Sequence, residues 1–306
     1  MTTMTTPAAP PLHSNRHAGD DPLLLRVRNL SKHYGSAKSG NLMKALDDVT
    51  FNVARGETLG IVGESGSGKT TCARAVLRAV DPTAGEALFN NRGRTVDLAK
   101  LSHRQLKPLR QEMQMVFQDP FASLNPRMTV GDIIAEPLVI HGIGSKAERR
   151  DRVAAMLERV GLIPDHASRY PHAFSGGQRQ RVGIARALIM RPALLVADEA
   201  VSALDVCVRA RVLELLRELR AEFGLTMMFV SHDLSVIRHI CDRVMVMYRG
   251  RIMEMGDVEQ VFNNPQHAYT KVLLSAIPHP DPDRKMQPLT VESLTPEQLQ
   301  PLPMMG

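Results

Sequence analysis

The stretch Gly63-Glu64-Ser65-Gly66-Ser67-Gly68-Lys69-Thr70 has the order G-x-x-x-x-G-K-T, a glycine-rich turn followed by a lysine and a hydroxyl. The apolar run Leu59-Gly60-Ile61-Val62 before it reads as a buried strand, and Thr71-Cys72-Ala73-Arg74-Ala75-Val76-Leu77 after it as a helix. A strand that turns sharply into a helix N-terminus aims several backbone N–H groups at one point, where an anion is stabilised. Nucleotide phosphate is the expected ligand, cradled by Gly63 to Thr71. Lys69 would reach the β- and γ-phosphates, and the Thr70 hydroxyl would sit on Mg²⁺. The loop by itself does not separate a kinase, a GTPase and a transport ATPase.

A second acidic element narrows the choice. The run Leu194-Leu195-Val196-Ala197 leads into Asp198-Glu199, which puts two carboxylates at the C-terminal end of a buried strand and looks like a Walker B motif. Asp198 would hold Mg²⁺, through water, and Glu199 would polarise the water that attacks the γ-phosphate.

Further along, Phe174-Ser175-Gly176-Gly177-Gln178-Arg179-Gln180-Arg181 resembles the signature motif of ATP-binding cassette (ABC) ATPases, with Phe174 where Leu is usual. Ser175, Gly176 and Gly177 open a helix expected from Gln178 to Leu188 and with Gln178 make a second phosphate-binding N-terminus. In the family this site faces the ATP held by the opposite subunit. The resemblance extends to other positions. Tyr34 matches the aromatic that stacks on adenine. Gln118 matches the glutamine that touches Mg²⁺ and the water and reports to a membrane partner. Ser202-Ala203-Leu204-Asp205 matches the loop that communicates across the dimer, and His232 the switch histidine that hydrogen-bonds the γ-phosphate.

The stretch Gln118-Asp119-Pro120-Phe121-Ala122-Ser123-Leu124-Asn125-Pro126-Arg127-Met128 and the tail Asn264-Pro265-Gln266-His267-Ala268-Tyr269-Thr270-Lys271 resemble the peptide/nickel importer group, and the resemblance is closer to the oligopeptide/dipeptide F-type ATPase than to any exporter. The resemblance implies two permease subunits, a second ATPase subunit (a paralogue or a second copy), and an extracytoplasmic substrate-binding protein acting indirectly. It covers about 23–280. Besides Phe174, three positions depart from the pattern: Ala200 and Ala268 stand where Pro is usual, and Cys207 where Ser is. The cysteine cluster of some relatives is missing, so no iron–sulfur cluster is implied.

Composition sets the outer bounds. The chain has 306 residues, 43% hydrophobic, with no Trp and aromatics at 4%, so it can bury a core but offers little material for stacking nucleic-acid bases. Its net charge of +6 is spread without a Lys/Arg block, which reads as solvated surface, and no nucleic-acid partner is expected. No run of about 18 apolar residues exists to span a bilayer. The first 22 residues lack an apolar signal-peptide core, so the protein is expected to stay in the cytosol; the importer resemblance implies a peripheral subunit at the cytoplasmic face of the plasma membrane. Cys72, Cys207 and Cys241 lack C-x-x-C spacing and read as reduced structural thiols. The histidines suggest no structural metal site.

The expected architecture is an α/β P-loop NTPase of ABC type. It has an antiparallel β subdomain, a RecA-like parallel core, an inserted helical subdomain at about 125–175 and a C-terminal extension. The reading divides the chain into a flexible tail (1–22), an ABC ATPase domain (23–258), and an importer-type extension and tail (259–306). Strands are expected at Leu23–Arg28, Leu46–Val53, Ala193–Ala197 and Thr226–Val230, with Val244–Tyr248 as the last strand and a long helix from Arg209 to Phe223. Beyond Pro278 the Pro-, Asp- and Gln-rich chain reads as poorly ordered.

Overall fold

The computed structural model describes residues 22–35, 41–91, 93–119, 122–276 and 289–302. The tail as far as Asp21, residues 36–40, Arg92, Pro120, Phe121, and residues 277–288 and 303–306 lie outside the described residues.

The chain enters through β1 (Leu23–Tyr34), β2 (Met43–Ala54) and β3 (Thr58–Val62), then α1 (Lys69–Val76). It continues through β4 (Ala84–Asn91), β5 (Arg94–Asp97), α2 (His103–Leu109) and β6 (Met113–Val116). Three helices follow, α3 (Val130–Ile140), α4 (Lys146–Arg159) and α5 (Gly176–Leu188). Next come β7 (Leu194–Asp198), α6 (Val206–Phe223), β8 (Thr226–Val230) and α7 (Leu234–Ile240). A hairpin of β9 (Arg243–Tyr248) and β10 (Arg251–Asp257) leads to α8 (Val258–Asn263) and α9 (Ala268–Ser275).

Two sheets result. One is antiparallel, ordered β2-β1-β4-β5; the other has six strands ordered β10-β9-β3-β8-β7-β6. In the larger sheet β3, β6, β7, β8 and β9 pair in parallel, and β10 closes the edge antiparallel to β9. Every residue of β3, β7 and β8 is buried. Helices cover both faces of such a sheet, so its strands are apolar throughout rather than alternating. Each fully buried Val, Leu, Ile, Phe or Met in them contributes about 1.5–3 kcal/mol, which fixes the sheet firmly enough to carry chemistry on its loops. Among the described residues no helix is long and apolar enough to cross a membrane.

Helix starts follow from local chemistry. Ser145 with Glu148 and Ser175 with Gln178 form capping boxes, and Asp205 accepts from Val208 N at the start of α6. These side chains satisfy first-turn N–H groups that have no partner inside the helix. In consequence α5 and α6 begin two and three residues earlier than the sequence suggests, at Gly176 and Val206.

Two expectations are corrected, and three strands are added. Val244–Tyr248 lies in β9, which is not the last strand: Arg249 and Gly250 adopt φ of 44° and 80°, the pattern of a type I′ hairpin, and β10 pairs back on β9. β4, β5 and β6 were not foreseen. The C-terminal stretch 289–302 is placed against the body of the protein: Val291, Leu294 and Leu299 pack on the core, and Leu302 N donates to Met253 O. Its scattered apolar residues find a surface that sequence composition does not reveal.

Candidate nucleotide site

Four neighbouring strands of the large sheet, β3, β8, β7 and β6, deliver the candidate residues from their C-terminal ends. This is where ligands bind in open parallel sheets. From β3 comes the glycine-rich loop. Gly63 takes φ of 147°, and a Cβ there would collide with the Met247 carbonyl oxygen, so only glycine fits. Gly68 is the N-cap of α1 and makes no side-chain capping bond, which leaves the first-turn N–H groups for an external acceptor. Ser67 Oγ is buried without a partner.

Lys69 is 5% exposed and its Nζ donates to Gly63 O at 2.8 Å and Glu64 O at 2.7 Å. Burial lowers its pKa, opposed by the charges of Glu199, Asp198 and Glu64. A desolvated ammonium held by carbonyls alone is poised to gain from an anion.

The other strands supply the acids, the amide and the imidazole. Thr70 Oγ1 donates to Asp198 Oδ1 at 2.8 Å, and Arg74 Nη2 lies 3.4 Å from Asp198 Oδ2. Burial pushes the Asp198 carboxyl up from its ordinary pKa, while the Thr70 hydrogen bond and Arg74 hold it down. The net direction is upward, as desolvation of the charged form requires. Glu199 takes φ of 48°, a left-handed conformation that stores strain in a non-glycine residue and is over-represented at functional sites. Its N–H is held by Val230 O, and its carbonyl by Ser202 Oγ. Gln118 Nε2 donates to Glu199 Oε2 at 2.9 Å, and His232 Nδ1 lies 3.4 Å from the same oxygen.

Ser65, Gly66, Gly68, Lys69, Thr70, Thr71, Gln118, Glu199 and His232 line one cavity of about 540 Å³. Asp198, only 1% exposed, is held beneath it by Thr70. Met43, Lys44 and Ala45 of β2 complete the wall. The sequence reading missed these three, because only the docking of the small sheet brings them there. Tyr34 stands at the rim: it pairs with Met43 across β1 and β2, is 38% exposed and carries Lys32 Nζ 4.8 Å from its ring centroid. It does not line the cavity.

Ser175, Gly176, Gly177 and Gln178 are likewise apart from the cavity. Ser175 Oγ accepts from Gln178 N at 3.3 Å, and Gln178 Oε1 accepts from Ser175 N at 3.0 Å. A Cβ on Gly177 would run into Val208 Cγ1, so α5 and α6 start in close contact. The N-terminus of α1 thus opens on the cavity, and that of α5 does not.

Residues 46–202 match the family model described as ABC transporter, more than half of the chain. This chain belongs to the ABC transporter family. Residues 253–302 of the cassette also match the C-terminal region of oligopeptide/dipeptide transporters. A Brucella ovis protein provisionally named a peptide import ATP-binding protein is 56% identical over 264 residues, 86% of this chain and 81% of that one. The oligopeptide transport ATP-binding protein OppF of Bacillus subtilis is 52% identical over 261 residues, 85% and 84% of the two chains. The dipeptide transport ATP-binding protein DppF of Escherichia coli is 49% identical over 284 residues, 92% and 84%. A dimeric ATP-binding cassette solved in a post-hydrolysis state with ADP and phosphate superposes with a TM-score of 0.68 at 31% identity, covering 76% of this cassette and 98% of that chain. The cassette therefore has the ABC ATPase fold and belongs to a family of ATP-hydrolysing transport subunits.

Proposed function

We propose that this chain is the ATP-hydrolysing, energy-coupling subunit of a bacterial importer for di- or oligopeptides or a related small solute. The observation that carries ATP turnover is the meeting of Lys69, Thr70, Gln118, Glu199 and His232 around one cavity at the edge of a parallel sheet. Peptide import is supported by the names of the relatives and by the family match of 253–302. Assignment to the F-type ATPase belongs to the same proposal, as do the division at 258/259 and the helical subdomain at 125–175.

In this reading the N–H groups from Gly63 to Thr71 cradle the phosphates, and Lys69 keeps the Gly63 carbonyl while its other N–H donors turn to the β- and γ-phosphate oxygens. Thr70, Asp198 and Gln118 fit a hard cation: they offer a hydroxyl, a carboxylate and the amide Oε1 left over when Nε2 donates to Glu199. Such oxygen donors suit Mg²⁺, which when bound with ATP neutralises charge on the β- and γ-phosphates. Glu199 orients the attacking water and takes its proton as the new O–P bond forms and the bond from the γ-phosphorus to the β–γ bridging oxygen breaks, giving phosphate and ADP as the leaving group. His232 donates to the γ-phosphate, and Tyr34 stacks on adenine once Lys32 clears its ring face. Ser175 to Gln178 close on the ATP of a second subunit, so that two sites are completed only in the dimer. ATP's higher affinity for the closed pair is what moves the two permeases.

The test is reconstitution in nanodiscs with the permeases, the second ATPase subunit and a peptide-loaded binding protein. Loaded binding protein should stimulate hydrolysis severalfold, with no stimulation by DNA or RNA near physiological ionic strength. Stimulation by nucleic acid instead, with micromolar or tighter binding at that salt, would overturn the importer reading.

A further inference from the structure

The C-terminal extension reaches the phosphate loop. Tyr269, on α9, is fully buried, and its hydroxyl accepts a hydrogen bond from Glu64 N at 3.2 Å, across 205 residues of chain. Glu64 N–H and Gly63 C=O belong to one peptide group, and the chain has no cis peptide bond among the described residues. In a trans peptide the N–H and C=O point in opposite directions. Anchoring the N–H on Tyr269 therefore aims the Gly63 carbonyl the other way, where it accepts from Lys69 Nζ at 2.8 Å.

The phenol is itself held in place. Its ring packs on Tyr248, with centroids 4.6 Å apart. Tyr269 N donates to His267 Nδ1 at 3.0 Å. His267 Nδ1 is thus an acceptor, so Nε2 carries the proton and donates to Gln300 O at 2.9 Å. Glu254 accepts from the N–H groups of Gln266 and His267 at the same helix start. Burial pushes the Tyr269 pKa up to about 12, which keeps the hydroxyl neutral beside a loop that must receive phosphate.

We propose that Tyr269 is a positioning residue for Lys69, acting through the Gly63–Glu64 peptide, so that the extension helps set the affinity of the phosphate loop. This rests on the reading of that loop as the ATP site. Because it is one neutral hydrogen bond, its loss is expected to weaken ATP binding by about three- to tenfold.

The experiment uses the full chain with Tyr269→Phe, which deletes the hydroxyl and keeps the ring, and Tyr248→Phe as a control that removes a neighbouring hydroxyl. Amide exchange at Glu64 in the nucleotide-free protein should quicken at least about tenfold in Tyr269→Phe and stay unchanged in the control. The dissociation constant for ATP should rise three- to tenfold, and this increase should vanish when both proteins carry Lys69→Ala. Unchanged exchange and affinity would overturn the proposal. An equal loss of affinity with and without Lys69 would also overturn it, since the effect would not pass through Lys69. Failure of the unsubstituted chain to bind ATP would count against the nucleotide reading, while the Glu64 exchange still decides whether Tyr269 orders the loop.

Discussion

The Gln118 side-chain amide donates to Glu199 Oε2 at 2.9 Å, although 81 residues separate the two in the chain. His232 Nδ1 approaches the same oxygen at 3.4 Å. One carboxylate oxygen is thus shared by groups from β6 and β8, on either side of the strand that carries it. A change in any of the three alters the other two.

Glu199→Gln keeps the side chain's shape, and its amide oxygen can still accept from Gln118. ATP affinity should change by less than about threefold, while hydrolysis falls by about 10²–10⁴, the range of a lost general base. Turnover and equilibrium nucleotide binding on the same preparation check this. The variant should also accumulate as an ATP-dependent dimer with its partner subunit on size exclusion.

Lys69→Ala removes a charge-assisted contact of about 1.5–3 kcal/mol, so nucleotide affinity should fall by about ten- to a hundredfold and turnover should be lost. Near-normal turnover would refute the role given to this loop.

The Asp198 carboxyl has a raised pKa in the folded chain, chiefly through burial. Between its unfolded and folded values the native state binds more protons than the unfolded state, so stability falls as pH rises through that window and stays lower above it. Asp198→Asn preserves an acceptor for Thr70 and removes the buried charge. It should raise the thermal midpoint of the nucleotide-free protein at neutral pH by a few degrees, on the order of 1 kcal/mol. The gain should shrink as acid protonates Asp198, and Mg²⁺-dependent ATP binding should weaken. Thermal melts across pH, with and without Mg·ATP, measure both effects.

The three thiols should separate by reactivity. Cys72 is buried and its pKa is pushed up to about 12, and burial raises Cys241 as well, whereas Cys207 is exposed. A maleimide should label Cys207 in the native protein and the other two only on unfolding. Cys207 lies in the first turn of α6, two residues past the Asp205 cap. Closure of the dimer by ATP in Glu199→Gln should therefore slow its labelling.

Ala268→Pro introduces the residue that the importer resemblance leads one to expect at this position. Ala268 is the first residue of α9, and His267 before it has φ of −80° and ψ of 138°, a conformation that a following proline favours. The substitution should stabilise the protein by about 0.4–1 kcal/mol through the unfolded state, read as a shift in the urea midpoint with an unchanged slope.

The sequence by itself determined the elements whose signal is local. The phosphate loop, the Asp198-Glu199 strand end and the Ser175–Gln178 helix start each occupy a few consecutive residues, and the fully buried β3, β7 and β8 are continuous apolar runs. β5 left little trace because its residues Arg94-Thr95-Val96-Asp97 are exposed or half-buried. The hairpin partner β10 was missed for a different reason: its turn, Arg249-Gly250, reads as an ending as easily as a return. Only the tertiary structure decided that Thr70 meets Asp198 128 residues away, that β2 walls the cavity, and that Tyr269 holds the Glu64 peptide. It likewise seated Leu294 and Leu299 on the core in a stretch whose composition reads as disordered. Such contacts depend on strand order, register and side-chain packing between distant segments, and these free-energy terms have no value until the chain has closed on itself.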